Sequence, residues 1–323
     1  MTANETTEMR HEKLNGFIAA PFTCFNEDSS VNLKPIKAYA DFLTRNGTNG
    51  VFILGTTGES MSITTSERKS IAEEWIKYAA PDFKIIVHVG SSSLKTSQEL
   101  AAHAQGIGAY AVGCIAPNFY KPATVEDLVA YTSAVAKACP SLPFYYYHIP
   151  SMSGVYLSMP EFLRQAGAVI PNLNGIKFTH NDLMEFNQCL MADNGRYDIL
   201  HGFDETLLCG LVLGVQAAIG STYNYFQPVY LKLREAFLAG DLDTARKMQQ
   251  LSVRLVSILI KYRGGIACGK AIMNLIGIPC GPCRLPIRSL NTTEINNLRQ
   301  DLEQMNFFEL ISLASVNSDP GAN

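Results

Sequence analysis

The sequence has no excess of basic charge, since its 26 lysine and arginine residues are outnumbered by 29 aspartate and glutamate residues. The lysines and arginines are also scattered along the chain rather than clustered. Proteins that bind nucleic acid or anionic lipid usually present a basic surface, so we exclude a nucleic-acid partner. No apolar run is long enough to span a bilayer, and we therefore expect no membrane association.

We also expect neither a secretory leader nor a metal-binding cysteine cluster. Residues 1–15 are polar and have no apolar stretch of the kind a signal peptide needs. The eight cysteines are far apart, and most lie in apolar runs, where free cysteine behaves as a small hydrophobic residue. The one C-x-x-C pair, Cys280 and Cys283, is closely flanked by Pro279 and Pro286, which does not suit a thioredoxin-type site, and no second pair completes a zinc site. We predict reduced thiols, a cytoplasmic protein and neither a metal nor another cofactor.

What the sequence does contain is a repeating pattern. Short β-branched or aromatic runs recur about every 30 residues, the size of a βα unit, and segments with helical periodicity lie between them. Residues 66–80 are an example, with Ser66 as the candidate N-cap, and residues 160–168 and 204–214 are similar. The predicted strands are residues 16–23, 50–56, 84–90, 109–117, 143–150, 174–179, 198–204 and 217–224.

Nearly continuous apolar strands that alternate with amphipathic helices indicate a parallel sheet covered by helices. An open doubly wound sheet has the same alternation, but no G-x-G-x-x-G or Walker motif follows any strand. The eight units therefore favour an α/β protein with a (β/α)8 TIM barrel. Further helices are predicted at residues 228–239, 241–261, 265–275 and 292–304, and they indicate a C-terminal helical extension. The predicted organisation is a flexible segment (1–15), a catalytic barrel (16–235), the helical extension (236–315) and a flexible tail (316–323).

Active sites of such barrels lie at the carboxyl ends of the strands, and the sixth strand carries a lysine there. In Gly175-Ile176-Lys177-Phe178-Thr179, alternation places Ile176 and Phe178 on one face and Lys177 and Thr179 on the other. The apolar pair suits the helix layer, so Lys177 is expected to point into the barrel. Burial would disfavour its ammonium form and free the amine to attack a ketone. A lysine that reaches the rim, in an ion pair, is an equally good interpretation of these residues alone.

The fifth strand contains three consecutive tyrosines. Tyr145 and Tyr147 share a face, and Tyr146 points the opposite way. Most such tyrosines pack in the core, but the position of Tyr147 near the strand's end makes it the best candidate for a phenol that moves protons beside a Schiff base. His148 lies on the other face, and we expect it to be structural.

Other polar groups follow neighbouring strands. The turn Gly55-Thr56-Thr57-Gly58 could bring backbone N–H groups together around a carboxylate. Asp204 and Glu205 follow the seventh strand, where Asp204 could cap the next helix or both could accept hydrogen bonds from a polyol. Ser221 adds a hydroxyl after the eighth strand. Together these groups fit a sugar-like 2-keto acid.

In their residues and in their order along the chain, these motifs resemble the N-acetylneuraminate lyase and dihydrodipicolinate synthase superfamily, and most of all its animal lyase branch. The resemblance runs from about Gly16 to the C-terminal helices. It rests on Gly55-Thr56-Thr57-Gly58-Glu59, Tyr147 followed by Ile149-Pro150, Gly175-Ile176-Lys177, Gly202-Phe203-Asp204-Glu205, and Gly220-Ser221-Thr222-Tyr223-Asn224-Tyr225.

The resemblance implies a metal-free retro-aldol cleavage of sialic acid, in a homotetramer. Lys177 would form the Schiff base, Tyr147 would shuttle protons, and Tyr120 would lie near the active site close to a subunit contact. The resemblance also assigns substrate binding to Thr56 and Thr57, which would hold the carboxylate, and to Thr179, Gly202, Asp204, Glu205 and Ser221, which would contact the sugar chain.

One departure bears on the branch of the superfamily. The dihydrodipicolinate synthases of this superfamily have an arginine two residues after the proline that corresponds to Pro150, and this arginine binds a second carboxylate. This chain has Met152 at that position, and methionine cannot bind a carboxylate in this way. Three alternatives to a sialic acid lyase stay open: an aldolase for another 2-keto-3-deoxy sugar acid, a catalytically silent barrel used for binding, and a structural protein.

Overall fold

The computed structural model describes residues 12–312, so the predicted tail at 316–323 and most of the predicted segment at 1–15 lie outside the described residues. Eight strands form a closed barrel in the order of the sequence, and the described ladders between them are parallel. The strands are β1 (Gly16–Ala19), β2 (Gly50–Ile53), β3 (Lys84–His88), β4 (Ala111–Ile115), β5 (Phe144–His148), β6 (Leu173–Phe178), β7 (Asp198–His201) and β8 (Ala217–Gly220). The predicted TIM barrel is confirmed.

Helices lie between the strands and continue after the last of them. They are α1 (Ile36–Arg45), α2 (Thr65–Lys77), α3 (Leu94–Gly106), α4 (Val125–Ala136), α5 (Pro150–Ser153), α6 (Met159–Gly167), α7 (Leu183–Gly195), α8 (Leu207–Val212), α9 (Gln227–Leu238), α10 (Leu242–Lys261), α11 (Gly265–Leu275), α12 (Thr292–Gln304) and α13 (Phe307–Ser312). The predicted C-terminal helices are therefore present, and α13 follows them. The proposed boundary after residue 235 falls inside α9 and stays a prediction.

The strands end earlier than predicted. Most predicted runs continue into a loop that is still largely buried, for example at Phe22 after β1 and at Tyr223 and Tyr225 after β8. After β2 the chain leaves the ladder at Leu54, where φ is 60°. Apolar composition reports burial rather than hydrogen bonding in a ladder, so it extends the predicted strands beyond their true ends.

Helix α2 begins one residue before the predicted N-cap. Thr64, not Ser66, is the N-cap, and it forms a capping box with Glu67. The Thr64 N–H donates to the Glu67 carboxylate at 2.9 Å, and the Glu67 N–H donates to the Thr64 hydroxyl at 3.3 Å. Two unsatisfied N–H groups are paired in this way, which Ser66 cannot achieve from inside the first turn.

The chain divides into two compact units. Among the described residues, the first unit contains residues 12–14 and Val89–Leu200, and the second contains Asn15–His88 and residues 201–312. All eight cysteines are unpaired thiols, and only Cys209 is exposed. Between residues 12 and 312, no helix has both the length and the apolarity that a bilayer span needs.

Candidate active site

Lys177 and Tyr147 are brought together by the register of two neighbouring strands. Strands β5 and β6 pair in parallel with Tyr147 opposite Lys177, and side chains opposite each other in a ladder project to the same side of the sheet. The Lys177 Nζ lies 4.1 Å from the centre of the Tyr147 ring. Both side chains are buried, with Lys177 only 5% exposed.

The other face of these strands packs against helices. Phe178 contacts Phe186 of α7 with ring centres 5.2 Å apart, and Tyr146 contacts Phe162 of α6 at 4.9 Å. Lys177 therefore points away from the helix layer, as the alternation predicts. A lysine that reaches solvent at the rim is not what the structure shows, because so little of the Lys177 side chain is exposed.

Tyr145 is tied to a buried carboxylate instead. Its hydroxyl donates to Asp198 at 2.8 Å and accepts from the Asn174 amide at 2.6 Å. Burial raises the pKa of Asp198 to about 6, although hydrogen bonds from the Leu14 N–H and from Tyr145 oppose the rise. Tyr145 is thus part of a buried polar network two residues earlier on the strand, which leaves Tyr147 as the tyrosine beside the lysine.

His148 is enclosed by rings, in agreement with the structural role predicted for it. Its ring lies 5.0 Å from Phe178 and 5.6 Å from His180. Burial lowers the pKa of His148 to about 3, and the nearby His180 adds to the effect. The imidazole is therefore uncharged at physiological pH, with a proton on only one of its ring nitrogens.

Thr179 lies on the Lys177 side of β6, just past its end, and has a polar group in need of a partner. Its backbone N–H donates to the carbonyl of His148 at 2.8 Å. Its buried hydroxyl has no hydrogen-bond partner among the described residues. Leaving such a group unsatisfied costs about 1–3 kcal/mol, so a ligand that supplies a partner would bind here with advantage.

In the second unit, the turn after β2 holds Thr56 and Thr57 in a tight backbone arrangement. The Glu59 N–H donates to the Thr56 carbonyl at 3.0 Å, and the Ser60 N–H donates to the Gly55 carbonyl at 3.3 Å. Glu59 itself is left-handed, with φ at 56°. Both threonines remain partly exposed, so their backbone and hydroxyl groups can be reached by a small anion.

A buried ion pair that the sequence analysis missed holds this turn. The Glu59 carboxylate lies 2.6 Å from the Lys270 Nζ and accepts the Arg284 N–H at 2.9 Å. Lys270 also donates to the Pro282 carbonyl at 2.8 Å and lies over the ring of Phe25. Lys270 is the single charged residue of helix α11 and was the available signal, since a buried lysine needs a partner.

Replacing Lys270 with methionine is expected to lower the free energy of unfolding by about 3 kcal/mol, because the variant leaves the Glu59 carboxylate buried without its counter-charge. Urea denaturation followed by circular dichroism measures the change. Lys261→Met is the matched control, since the Lys261–Asp301 pair is largely exposed on the lysine side and surface pairs contribute little. Equal losses in the two variants would contradict the importance of the buried pair.

Asp204 does not cap a helix, so that interpretation is wrong. The 3₁₀ turn at Asp204–Thr206 and helix α8 have no side-chain cap. Instead, the Asp204 Oδ2 accepts from the Thr222 N–H at 2.8 Å and from the Thr222 hydroxyl at 2.6 Å. A Cβ at Gly220 would lie 1.6 Å from the Asp204 Oδ1, so only glycine allows β8 to end against this carboxylate.

The remaining polar groups of the second unit are more accessible. Gly202, Glu205 and Ser221 are all partly exposed. Burial raises the pKa of Glu205, and the negative charge of Asp204 adds to the rise. Two adjacent carboxylates of this kind can accept hydrogen bonds from the hydroxyls of a polyol.

The structure thus places the predicted residues in two sets. Lys177, Tyr147 and Thr179 lie in the first unit, and the second unit holds Thr56, Thr57, Gly202, Asp204, Glu205 and Ser221. Every member lies at or just beyond the carboxyl end of a barrel strand. Tyr120, in the loop after β4, is 86% exposed and meets Phe119 edge-on at 5.0 Å. Within the described residues, no group of three or more histidine, cysteine, aspartate or glutamate side chains is arranged to hold a metal ion.

Known proteins resemble this chain over almost its full length. The model of the dihydrodipicolinate synthetase family matches residues 13–305. The N-acetylneuraminate lyase of Rattus norvegicus is 40% identical over 312 residues, which cover 95% of this chain and 98% of the relative. The human enzyme of that name is 39% identical, with 96% and 98% covered. The solved structure of the Proteus mirabilis N-acetylneuraminate lyase is 41% identical with a TM-score of 0.89, and the match covers 92% of this chain and 100% of that one.

Proposed function

The chain belongs to the dihydrodipicolinate synthetase family, and on that premise we propose that it cleaves N-acetylneuraminate to N-acetylmannosamine and pyruvate, reversibly, through a Schiff base on Lys177. The observation that carries this proposal is the buried Lys177 amine, held over the Tyr147 ring by the register of β5 and β6. The relatives at about 40% identity over nearly the whole chain support the same activity.

The reaction begins with nucleophilic catalysis by the amine. The Lys177 Nζ attacks the C2 ketone of the open-chain sugar acid, and loss of water leaves a protonated imine. The imine accepts electrons that the ketone alone would accept poorly. Because Lys177 lies on a strand of the barrel and is almost fully buried, the amine is fixed in place before the substrate arrives, which lowers the entropic cost of the attack.

Tyr147 then acts as the general acid and base. Its phenolic oxygen, adjacent to the lysine, takes up the proton of the C4 hydroxyl while the phenol's own proton passes to the substrate carboxylate. The C3–C4 bond breaks, its electron pair moves into the imine to give an enamine, and N-acetylmannosamine leaves as an aldehyde. The enamine takes a proton at C3, and water hydrolyses the resulting imine to pyruvate and the free amine.

The binding residues suit the two ends of the substrate. The turn containing Thr56 and Thr57 offers N–H and hydroxyl donors, which match the carboxylate next to the ketone. The Thr179 hydroxyl lacks a partner in the described part of the chain and would gain one from the sugar. Donors on the sugar chain would meet the acceptors contributed by Gly202, Asp204, Glu205 and Ser221.

Met152 supports a lyase rather than a synthase. It occupies the position of the synthase arginine and is 60% exposed on α5. An uncharged thioether cannot form the bidentate contacts through which arginine binds a second carboxylate. N-acetylneuraminate has only one carboxylate, so its cleavage does not require such a residue.

We place the reaction in the cytoplasm, in a homotetramer to which Tyr120 contributes near a subunit contact. The unpaired thiols support a reducing compartment. The adjacent exposed rings of Phe119 and Tyr120 support a contact with another subunit, because aromatic side chains are enriched at protein interfaces.

The activity is tested by incubating the purified protein with N-acetylneuraminate and measuring both products, pyruvate through a coupled dehydrogenase and N-acetylmannosamine by chromatography. Equimolar formation of the two is expected. A shorter, unacetylated 2-keto-3-deoxy sugar acid is the comparison substrate, and a higher kcat/KM on it would identify a sister aldolase instead. Failure to cleave either substrate would favour a barrel used only for binding.

A further inference from the structure

Three buried hydroxyl side chains connect the side-chain carboxylate of Asp204 with its backbone carbonyl. Thr222 donates to the Asp204 carboxylate at 2.6 Å, and Ser252 donates to the Asp204 backbone carbonyl at 3.1 Å. The Tyr230 hydroxyl lies between them, 2.6 Å from the Thr222 oxygen and 2.8 Å from the Ser252 oxygen. Thr222, Tyr230 and Ser252 thus form a continuous hydroxyl chain around one residue.

The hydroxyl chain is isolated from water. Thr222 is 1% exposed, and Tyr230 and Ser252 are completely buried. Because Thr222 and Ser252 direct their protons to Asp204, Tyr230 lies between two acceptor oxygens and donates to one of them. Hydrogen bonds in such surroundings do not compete with solvent, and those to a carboxylate are the stronger kind.

Helix α10 also forms hydrogen bonds with Asp204. Ser252 lies on this helix, and so does Gln249, whose amide donates to the Asp204 carbonyl at 3.1 Å. The Gln249 side-chain carbonyl accepts the Leu208 N–H at 2.7 Å at the beginning of α8. The segment that carries Asp204 and Glu205 is therefore held by hydrogen bonds from two elements, the loop after β8 and helix α10.

From this geometry we infer that Thr222, with Tyr230 and Ser252, positions Asp204 and Glu205 to bind the sugar end of the substrate. The three hydroxyls thereby set the affinity for the aldehyde product and leave the affinity for pyruvate unchanged. The inference rests on the proposed function. None of the three hydroxyls is assigned a contact with the substrate, so they are positioning residues rather than catalytic ones. The inference also gives helix α10, in the C-terminal extension, a part in sugar recognition.

Thr222 is the member to test, because valine has nearly the same shape as threonine and lacks only the hydroxyl. The backbone N–H of Thr222, which also donates to Asp204, is kept in the variant. The loss of one hydrogen bond to a carboxylate is expected to raise the KM for N-acetylmannosamine about tenfold in the synthesis direction. The KM for pyruvate should change by less than about twofold, since the imine is formed at the other end of the substrate.

Two further variants separate positioning from a general loss of structure. Thr222→Ser restores the hydroxyl and should return the KM for N-acetylmannosamine to near the unmodified value. Tyr225→Phe is the matched control in the same loop, because the buried Tyr225 hydroxyl has no hydrogen-bond partner in the described part of the chain; it should leave both constants unchanged. If Thr222→Val does not fold, Tyr230→Phe tests the same chain, with an expected increase of about threefold.

The inference is overturned if Thr222→Val leaves the KM for N-acetylmannosamine unchanged, if both KM values rise together, or if Thr222→Ser fails to restore it. These outcomes differ from failure of the proposed function, in which the unmodified protein itself forms no N-acetylneuraminate from pyruvate and N-acetylmannosamine. That last result would remove the assignment of the hydroxyl chain together with the activity it serves.

Discussion

Replacing Lys177 with methionine is expected to reduce cleavage of N-acetylneuraminate by about 10⁴-fold or more. Methionine fills a similar buried volume without an amine, so neither the imine nor the enamine can form. Removal of a covalent nucleophile disables every later step of the reaction, and such losses are the largest that single substitutions cause. The substrate should still bind, since the carboxylate and sugar contacts are left in place.

The matched variant is Lys177→Arg, which separates covalent from electrostatic catalysis. Arginine keeps the positive charge but stays protonated and does not condense with a ketone. Steady-state kinetics should show that both variants lack measurable kcat, with thermal unfolding used to check that each is folded. If Lys177→Arg kept more than about a tenth of the activity, Lys177 would be acting through its charge and the Schiff base would be wrong.

Replacing Tyr147 with phenylalanine is expected to lower kcat by about 10²–10⁴-fold, the usual contribution of a general acid or base. The ring that lies over the Lys177 amine is kept, and only the phenolic hydroxyl is removed. Imine formation with pyruvate should therefore persist while cleavage of the C3–C4 bond becomes slow. Single-turnover kinetics that follow the imine and the released aldehyde separately would measure the two steps.

Tyr145→Phe is the control for this prediction, because it removes a hydroxyl from the neighbouring tyrosine on the same face of β5. The Tyr145 hydroxyl donates to buried Asp198, so its loss should lower stability and leave kcat nearly unchanged. If kcat fell in Tyr145→Phe but not in Tyr147→Phe, the proton transfer would belong to Tyr145, and its assignment to Tyr147 would be wrong.

The barrel could be predicted from the sequence because its signals are local and repeated. Eight apolar runs separated by helical periodicity leave few alternatives for a single sheet, and the start of each strand was placed within two residues. The ends of β1, β2, β7 and β8 were predicted three or four residues too late, since burial continues past the ladder at residues such as Phe22 and Tyr223. The alternation of side chains along β6 also predicted correctly that Lys177 points away from the helix layer.

The supports of the site were not predictable, because they join residues that are distant in sequence. Asp204 resembles an N-cap when only its neighbours are considered, yet its partner is Thr222, 18 residues away. The partner of Glu59 is Lys270, on a helix of the C-terminal extension. Both charged residues follow strands in plausible binding motifs, and only the three-dimensional structure identifies the groups that hold them.

The central claim is that Lys177 forms a Schiff base, and its most direct measurement is mass spectrometry after incubation with pyruvate and borohydride, which reduces an imine to a stable amine. The account predicts one adduct for each chain, located on Lys177 by peptide mapping and absent from Lys177→Met. A protein that stays unmodified, or an adduct on a different lysine, would contradict it.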